Sequence, residues 1–405
     1  MLKLFNALGK RTMTFRPVRE DVVTMFTCGP SVYQRAHIGN FRTFLFEDIL
    51  IRYLEFFGRV VRRGMNFTDV EDKAIAEAQS RGRSVRQVTD EHIRVFLQDM
   101  EMLRMKKPDY LPRASEAVNE AVEIVEALLE KKVAYRHGGN IYFDPLKFKG
   151  FGKLYGLDMS KWPKNKRRFH KDTYPGMRWN LGDFILWHGY KEGDPVFWDT
   201  RIGRGRPSWN IEDPSMISKH FHETLSVYCG GIDNLVRHHD YTVAIQESVR
   251  PYPVARYWLH CHHLLVNGKK MSKSKGNMQY ISTLREQGFT PEEIRFFLIH
   301  GHYRKVLNYS PDRMDRTVSK LGAFKRLAQR MGKLAADCRK TDEQTFQTAR
   351  TRFMDRMDQD LDVQGAFDGV HGFMGQLMAD GVKPSQAKGA VKALKEIDHV
   401  LKVIF

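Results

Sequence analysis

The sequence predicts an α/β protein in which a parallel-sheet unit comes first and an all-helical region follows. Three observations support this. The apolar run Val22, Val23, Met25 and Phe26 reads as a buried strand, passes through Gly29-Pro30, and leads into a helical pattern at 41–53. A second strand pattern at 58–66 contains Val60 and Val61, so strand, helix and strand make a parallel, right-handed unit. From Thr290 onward the periodicity is helical, at 292–300, 313–338, 342–357 and 385–403, which describes a bundle with short loops.

In chain order, residues 1–15 read as an edge segment ahead of the first strand. After the second strand, Val70, Ala74, Ile75 and Ala78 recur at helical spacing over 69–80. Long amphipathic helices are expected at 86–105 and 114–132; Val118, Ala121, Val122, Ile124, Val125, Leu128 and Leu129 form the apolar face of the second. Over 145–180 Gly and Pro interrupt any period. Lys147, Lys149, Lys153, Lys161, Lys164, Lys166, Arg167, Arg168 and Lys171 cluster there with Trp162, Phe169 and Tyr174. Cations among aromatics suit a phosphate backbone with stacked bases, and equally a solvated loop. Residues 182–265 return to strand-and-turn texture, including Phe184 to Trp187, Ser226 to Asp233, and the pair His238-His239.

Composition narrows the function classes. With 405 residues and 42% hydrophobic content, two or three domains can each bury a core. A formal charge of +18 favours a polyanionic partner, nucleic acid before an anionic membrane. Cys28, Cys229, Cys261 and Cys338 are too few and too scattered for a disulfide framework. Charges interrupt residues 1–20, and no apolar run approaches the roughly 18 residues of a membrane span, so a cytoplasmic protein is expected.

Two stretches carry chemistry. The first runs from Cys28 through His37 to Asn40. A strand, a glycine turn and a helix start make a phosphate-binding architecture, because the first N–H groups of a helix lack internal partners. The second, Gly268 to Asn277, places Lys270, Ser272, Lys273 and Ser274 on a glycine-bracketed loop after a strand at 263–266. Mobile ammonium groups suit phosphoryl-linked chemistry, where charge builds on departing pyrophosphate. Gly230-Gly231, followed by Asp233, fits close backbone approach to a ligand whose sugar hydroxyls the carboxylate accepts, or simply a tight turn.

His37-Ile38-Gly39-Asn40 and Lys270-Met271-Ser272-Lys273-Ser274 resemble the HIGH and KMSKS signatures of class I aminoacyl-tRNA synthetases. Cys28 to Tyr33, Asn66 to Lys73, Asp183 to Trp187, Gly205 to Glu212 and Gly230 to Asp233 are similar to cysteinyl-tRNA synthetases in particular. The resemblance implies a Rossmann-like parallel-sheet catalytic core at 1–310, with a helical and basic connective region inserted at about 85–180, and a helical bundle at 311–405. It implies ATP with Mg2+, an amino acid (cysteine in that family) and a tRNA acceptor. His37 and Asn40 would contact the ATP phosphates and ribose region, Gly39, Gly230, Gly231, Ser272 and Ser274 would line the nucleotide site, and Asp233 would hold the ribose. Lys270 and Lys273 would stabilise the transition state of adenylate formation. Thr68 and Trp209 match amino-acid pocket positions.

Three departures qualify this reading. The family's zinc ligands are Cys, Cys, His and Glu; the matching positions here are Cys28, Asp213, His238 and Thr242. Cys28, Asp213 and His238 then either hold Zn2+ or have become ordinary pocket residues. Tyr228-Cys229 replaces a His-Gly pair, so a bulky ring enters the pocket. The chain stops at Phe405, before the point where the family continues into an anticodon-reading domain, so anticodon readout is not expected. The reading is an ATP-dependent ligase charging tRNA or a tRNA-like acceptor. The alternatives are a mycothiol-ligase-like coupling to a small amine and a non-catalytic RNA-binding paralogue.

Overall fold

The computed structural model describes residues 1–158 and 183–405. Its centre is a four-stranded, all-parallel sheet built from Val22–Thr27, Val60–Met65, Leu225–Gly231 and Ala255–Cys261. In space the order is Ala255–Cys261, Leu225–Gly231, Val22–Thr27, Val60–Met65. Chain direction across the sheet therefore reverses between Val22–Thr27 and Leu225–Gly231. In open α/β sheets such a switch point leaves a crevice beyond the carboxyl ends of the strands. Cys28, Asn66 and His262 directly follow three of these strand ends, and Gly231 ends the fourth.

The expected strand–helix–strand unit is Val22–Thr27, Ile38–Phe56 and Val60–Met65, with strands in register from Val22 opposite Val60 to Thr27 opposite Met65. Helix Ile38–Phe56 is buried almost all round because sheet and C-terminal helices cover opposite sides of it. One apolar cluster runs unbroken from Val23 and Met25 through Phe41 and Leu45 to Phe353 and Leu394. Buried charges cross the same boundary in pairs. Arg63 meets Glu47 at 2.7 Å under the sheet. Arg295 donates to Asp48 Oδ2 at 2.6 Å, to the Leu103 carbonyl at 2.8 Å and to the Leu401 carbonyl at 2.7 Å.

Several elements differ from the sequence reading. The N-terminal edge segment is an antiparallel hairpin, Lys3–Asn6 with Arg11–Thr14, bridged to Gln359. Within 182–265, helices Trp209–His220 and Asp240–Val249 accompany the expected strands. Strands Ala134–His137, Asn140–Phe143, Phe184–Gly189 and Gly205–Pro207 form a separate antiparallel sheet. In the C-terminal region, helix Val363–Ala379 joins Pro311–Ala335, Glu343–Met357 and Pro384–Leu401. Of the basic cluster, Lys147, Lys149 and Lys153 fall among the described residues; Lys161 to Lys171, with Trp162, Phe169 and Tyr174, lie outside them. Among the described residues no helix is long and apolar enough to cross a membrane.

Candidate active site

A cleft of about 830 Å3 opens at the switch point, lined by His37, Gly39, Asn40, Gly231, Asp233 and Lys270 at one end. Cys28, Thr68 and Trp209 line it too. His37 is the N-cap of helix Ile38–Phe56. Its Nδ1 accepts from the Asn40 backbone N–H at 3.2 Å, and its own N–H donates to Asn40 Oδ1 at 3.0 Å. This reciprocal box fixes both side chains at a helix start, where unpaired N–H groups and the helix dipole favour an anion. It engages the oxygen of Asn40 and not its amide nitrogen. Burial lowers the His37 pKa despite its backbone bond and nearby Asp233, which favours the neutral ring.

Gly39 brings the two signature stretches together. A Cβ there would lie 2.8 Å from Met271 Cε and 2.9 Å from the His37 ring. The lysine loop leaves strand Leu264–Val266, turns, and returns as Lys269–Lys270. Asn277 then clasps it, accepting from the Ser272 N–H at 3.0 Å and donating to the Lys270 carbonyl at 3.2 Å. Lys270 lines the cleft, whereas Lys273 and Ser274 are exposed on the turn Lys273–Lys275. The Ser272 and Ser274 hydroxyls lie 3.2 Å apart and bond each other.

The glycine pair serves neighbouring side chains. A Cβ on Gly230 would meet the His239 ring at 2.7 Å, and one on Gly231 would meet Asp233 Oδ1 at 2.6 Å. Beyond Asp233 the backbone leaves helical geometry at Val236 and Arg237, where Arg237 has φ 73° and ψ −78°. That is a costly conformation for a side chain other than glycine, and such strain concentrates at functional sites. The kink separates Asp233 from His238 and His239.

Behind the floor of the cleft, Asp213, Tyr228, His238 and His239 are buried. Helix Trp209–His220 carries two of the floor residues. Trp209 stacks on His238 with centroids 4.1 Å apart and planes 14° apart. Asp213 Oδ1 accepts from Asn66 Nδ2 at 3.0 Å, and Oδ2 accepts from the Tyr228 hydroxyl at 2.5 Å. Burial works to raise the Asp213 pKa, but His238 and the donors Tyr228 and Cys28 outweigh it and hold the carboxyl below its ordinary value. Burial, then Asp213, push the Cys28 thiol well up, so its ionisation needs a cation beside it. Thr242, at the fourth family position, donates its hydroxyl to the His238 carbonyl at 2.9 Å.

The donor atoms of Cys28, Asp213, His238 and His239 all lie within 4.8 Å of one another. One sulfur, one carboxylate oxygen and two imidazole nitrogens make a zinc-type set, and His238 Nδ1, His238 Nε2 and His239 Nε2 make no hydrogen bond among the described residues. These residues fit the ion that the resemblance implies. Sequence reasoning had not singled out His239, Asn66 or His260 as site residues. Asn66 begins a family-like segment and His239 adjoins His238, whereas His260 carries no local signal. His188 also lines the cleft. Burial, then Arg206, push its pKa down to about 4.

Comparison with known proteins follows the same lines. Residues 14–319 match the family described as tRNA synthetases class I (C) catalytic domain. The cysteine–tRNA ligase of Chlamydia muridarum is 40% identical over 315 residues, covering 77% of this chain and 65% of that one. That of Pyrococcus furiosus is 39% identical over 313 residues, covering 77% and 64%. The chain thus spans less than two thirds of the length of these curated relatives. Among solved structures, Mycobacterium tuberculosis methionyl-tRNA synthetase bound by methionyl-adenylate superposes with TM-score 0.69 at 13% identity, covering 96% of this chain and 92% of that one. An Agrobacterium radiobacter LeuRS from a ternary complex superposes with TM-score 0.72 at 11% identity, covering 97% and 85%. At these identities the likeness is one of fold.

Proposed function

Since the chain belongs to the class I (C) family of tRNA synthetases, we propose that it joins an amino acid, cysteine first among candidates, to a tRNA acceptor at the expense of ATP. In the first step the amino-acid carboxylate attacks the α-phosphorus and Mg-pyrophosphate leaves. In the second a ribose hydroxyl of the acceptor attacks the activated carbonyl and AMP leaves. The observation that carries this reading is the shared cleft of Lys270 and the His37–Asn40 turn, which are far apart in sequence.

On this reading the helix start at His37 and Asn40 binds the phosphates, with Gly39 keeping the lysine loop close. Lys270, joined by Lys273, stabilises the charge that develops on departing pyrophosphate, while Ser272 and Ser274 shape the loop. Asp233, packed on Gly231 beside Gly230, accepts from ribose hydroxyls. Cys28, Thr68 and Trp209 hold the amino acid, backed by Tyr228 and His238. A zinc ion on Cys28, Asp213 and His238 would supply a thiophilic Lewis acid at that floor. Catalysis is then mainly positioning and charge stabilisation. Residues 1–310 would form the catalytic domain, with the connective region inserted at about 85–180 and the helices of 311–405 beneath.

ATP–pyrophosphate exchange, run with each amino acid in the presence and absence of tRNA, tests the proposal. Exchange with cysteine, followed by acid-stable charging of tRNA, is expected. No exchange with any amino acid overturns it. Charging should weaken steeply with salt, and neutralising Lys164, Lys166, Arg167 and Arg168 should flatten that dependence.

A further inference from the structure

Three imidazoles stand together behind the cleft floor, and four of their six ring nitrogens have no hydrogen-bond partner among the described residues: His238 Nδ1 and Nε2, His239 Nε2 and His260 Nδ1. Buried polar atoms are nearly always satisfied, so orphans gathered in one place mark an absent ion or water. His238 Nε2 does lie 3.0 Å from Asp213 Oδ2, yet off the line of a hydrogen bond. Two donors of one small cation also come that near.

The family's fourth ligand position falls at 242, and Thr242 cannot fill it: its hydroxyl already serves the His238 carbonyl. His239 is better placed. Its Nδ1 is held 2.8 Å from His260 Nε2, which leaves Nε2 as the available donor. Metal-binding imidazoles are characteristically fixed through their other nitrogen in this way. Gly230 leaves room for the ring, since a Cβ there would lie 2.7 Å from it.

We infer that His239 has taken over the coordination that position 242 no longer provides, so that Cys28, Asp213, His238 and His239 hold one zinc-type ion, with His260 orienting His239. A thiolate and a carboxylate together neutralise a divalent cation, which matters where the surroundings exclude water. Replacing a second thiolate by Asp213 and a glutamate by His239 makes the set harder, so Co2+ and Ni2+ should also enter it.

X-ray absorption at the zinc edge of the zinc-loaded wild-type protein reads the ligands directly. One sulfur at about 2.3 Å and two imidazoles are expected. A single imidazole, or a protein that takes up no zinc, overturns the inference. Titration with Co2+ gives a second readout. His239→Ala should weaken Co2+ binding at least ~10-fold and dim the visible absorption of the four-coordinate ion, with His260→Ala acting in the same direction more weakly. Thr242→Ala should leave both unchanged. Wild-type affinity and spectrum in folded His239→Ala, checked by circular dichroism, would also sink it. If that variant does not fold, the wild-type absorption data decide. ATP–pyrophosphate exchange is scored separately, so loss of the metal site and loss of the ligase reading are distinct results.

Discussion

The two ends of the cleft are built in opposite ways. At the proposed nucleotide end, His37, Gly39 and Asn40 lie within one helical turn, and the capping box there closes between His37 and Asn40. At the floor, Cys28, Asn66, Asp213, Tyr228 and His238 come from distant parts of the chain and meet only when strand ends and a helix are assembled. A locally closed device keeps its residue pattern or loses its geometry. A floor assembled from separate elements can exchange members one at a time, here a carboxylate for a thiolate and a tyrosine for a histidine. The difference accounts for a proposed ATP end that departs from the family signature only at Asn40, while the proposed amino-acid end departs from the family pattern at several positions.

Breaking each end separately tests that contrast. The largest effect is expected from Lys270→Ala, which should slow ATP–pyrophosphate exchange by roughly 10²–10³-fold with little change in the KM for ATP, because the proposed role of the ammonium is on charge formed in the transition state. A rise in KM alone would make Lys270 a ground-state binder. Trp209→Ala removes the ring that lines the cleft and stacks on His238. The amino-acid KM should rise by about 10–100-fold, roughly 1.4–2.8 kcal/mol, while the KM for ATP stays put. Parallel changes in both constants would show the two ends to be one coupled unit.

Smaller effects sharpen the picture. In Gly39→Ala the new methyl would crowd Met271, so exchange should fall about 10-fold, and Met271→Ala in the same chain should restore part of it. Additive losses would mean that the loop does not close on Gly39. Tyr228→Phe leaves Asp213 with one donor fewer and should cost about 1–2 kcal/mol in urea unfolding, without touching the ATP constants. The smallest expected change is in pH dependence. Because burial lowers the His37 pKa, any inflection this ring adds to the exchange rate should lie on the acid side of the ordinary imidazole range. An inflection above that range that vanishes in His37→Asn would contradict this.

What could be read in the sequence follows the same division. The strand–helix–strand unit was legible because its pattern is local, and the lysine loop because glycine brackets it. Helix Val363–Ala379 was not, since Gly365, Gly369, Gly372 and Gly375 each lower helix propensity by about 1 kcal/mol. Burial of Val363, Ala366, Phe367, Val370 and Met374 against neighbouring helices outweighs that cost. Helix Trp209–His220 was hidden by Pro207 before it and Pro214 inside it, where the ring removes a backbone donor. The Pro214 carbonyl also accepts from Gln246, a partner in another helix. At the floor, Cys28 and His238 were visible as residues of the right type. The pairing of His239 with His260 was not, because nothing near either residue in sequence points to the other.

The guanidinium of Arg295 gives the molecule a mechanical property. It grips the carboxylate of Asp48 in helix Ile38–Phe56, the end of helix Val85–Met102 at Leu103, and the last residue of helix Pro384–Leu401. Helix Ile38–Phe56 has 19 residues and so makes a rod of about 28 Å, with His37 capping its tip. The clamp therefore ties the last C-terminal helix and the end of helix Val85–Met102 to the same rod that carries His37 at its tip.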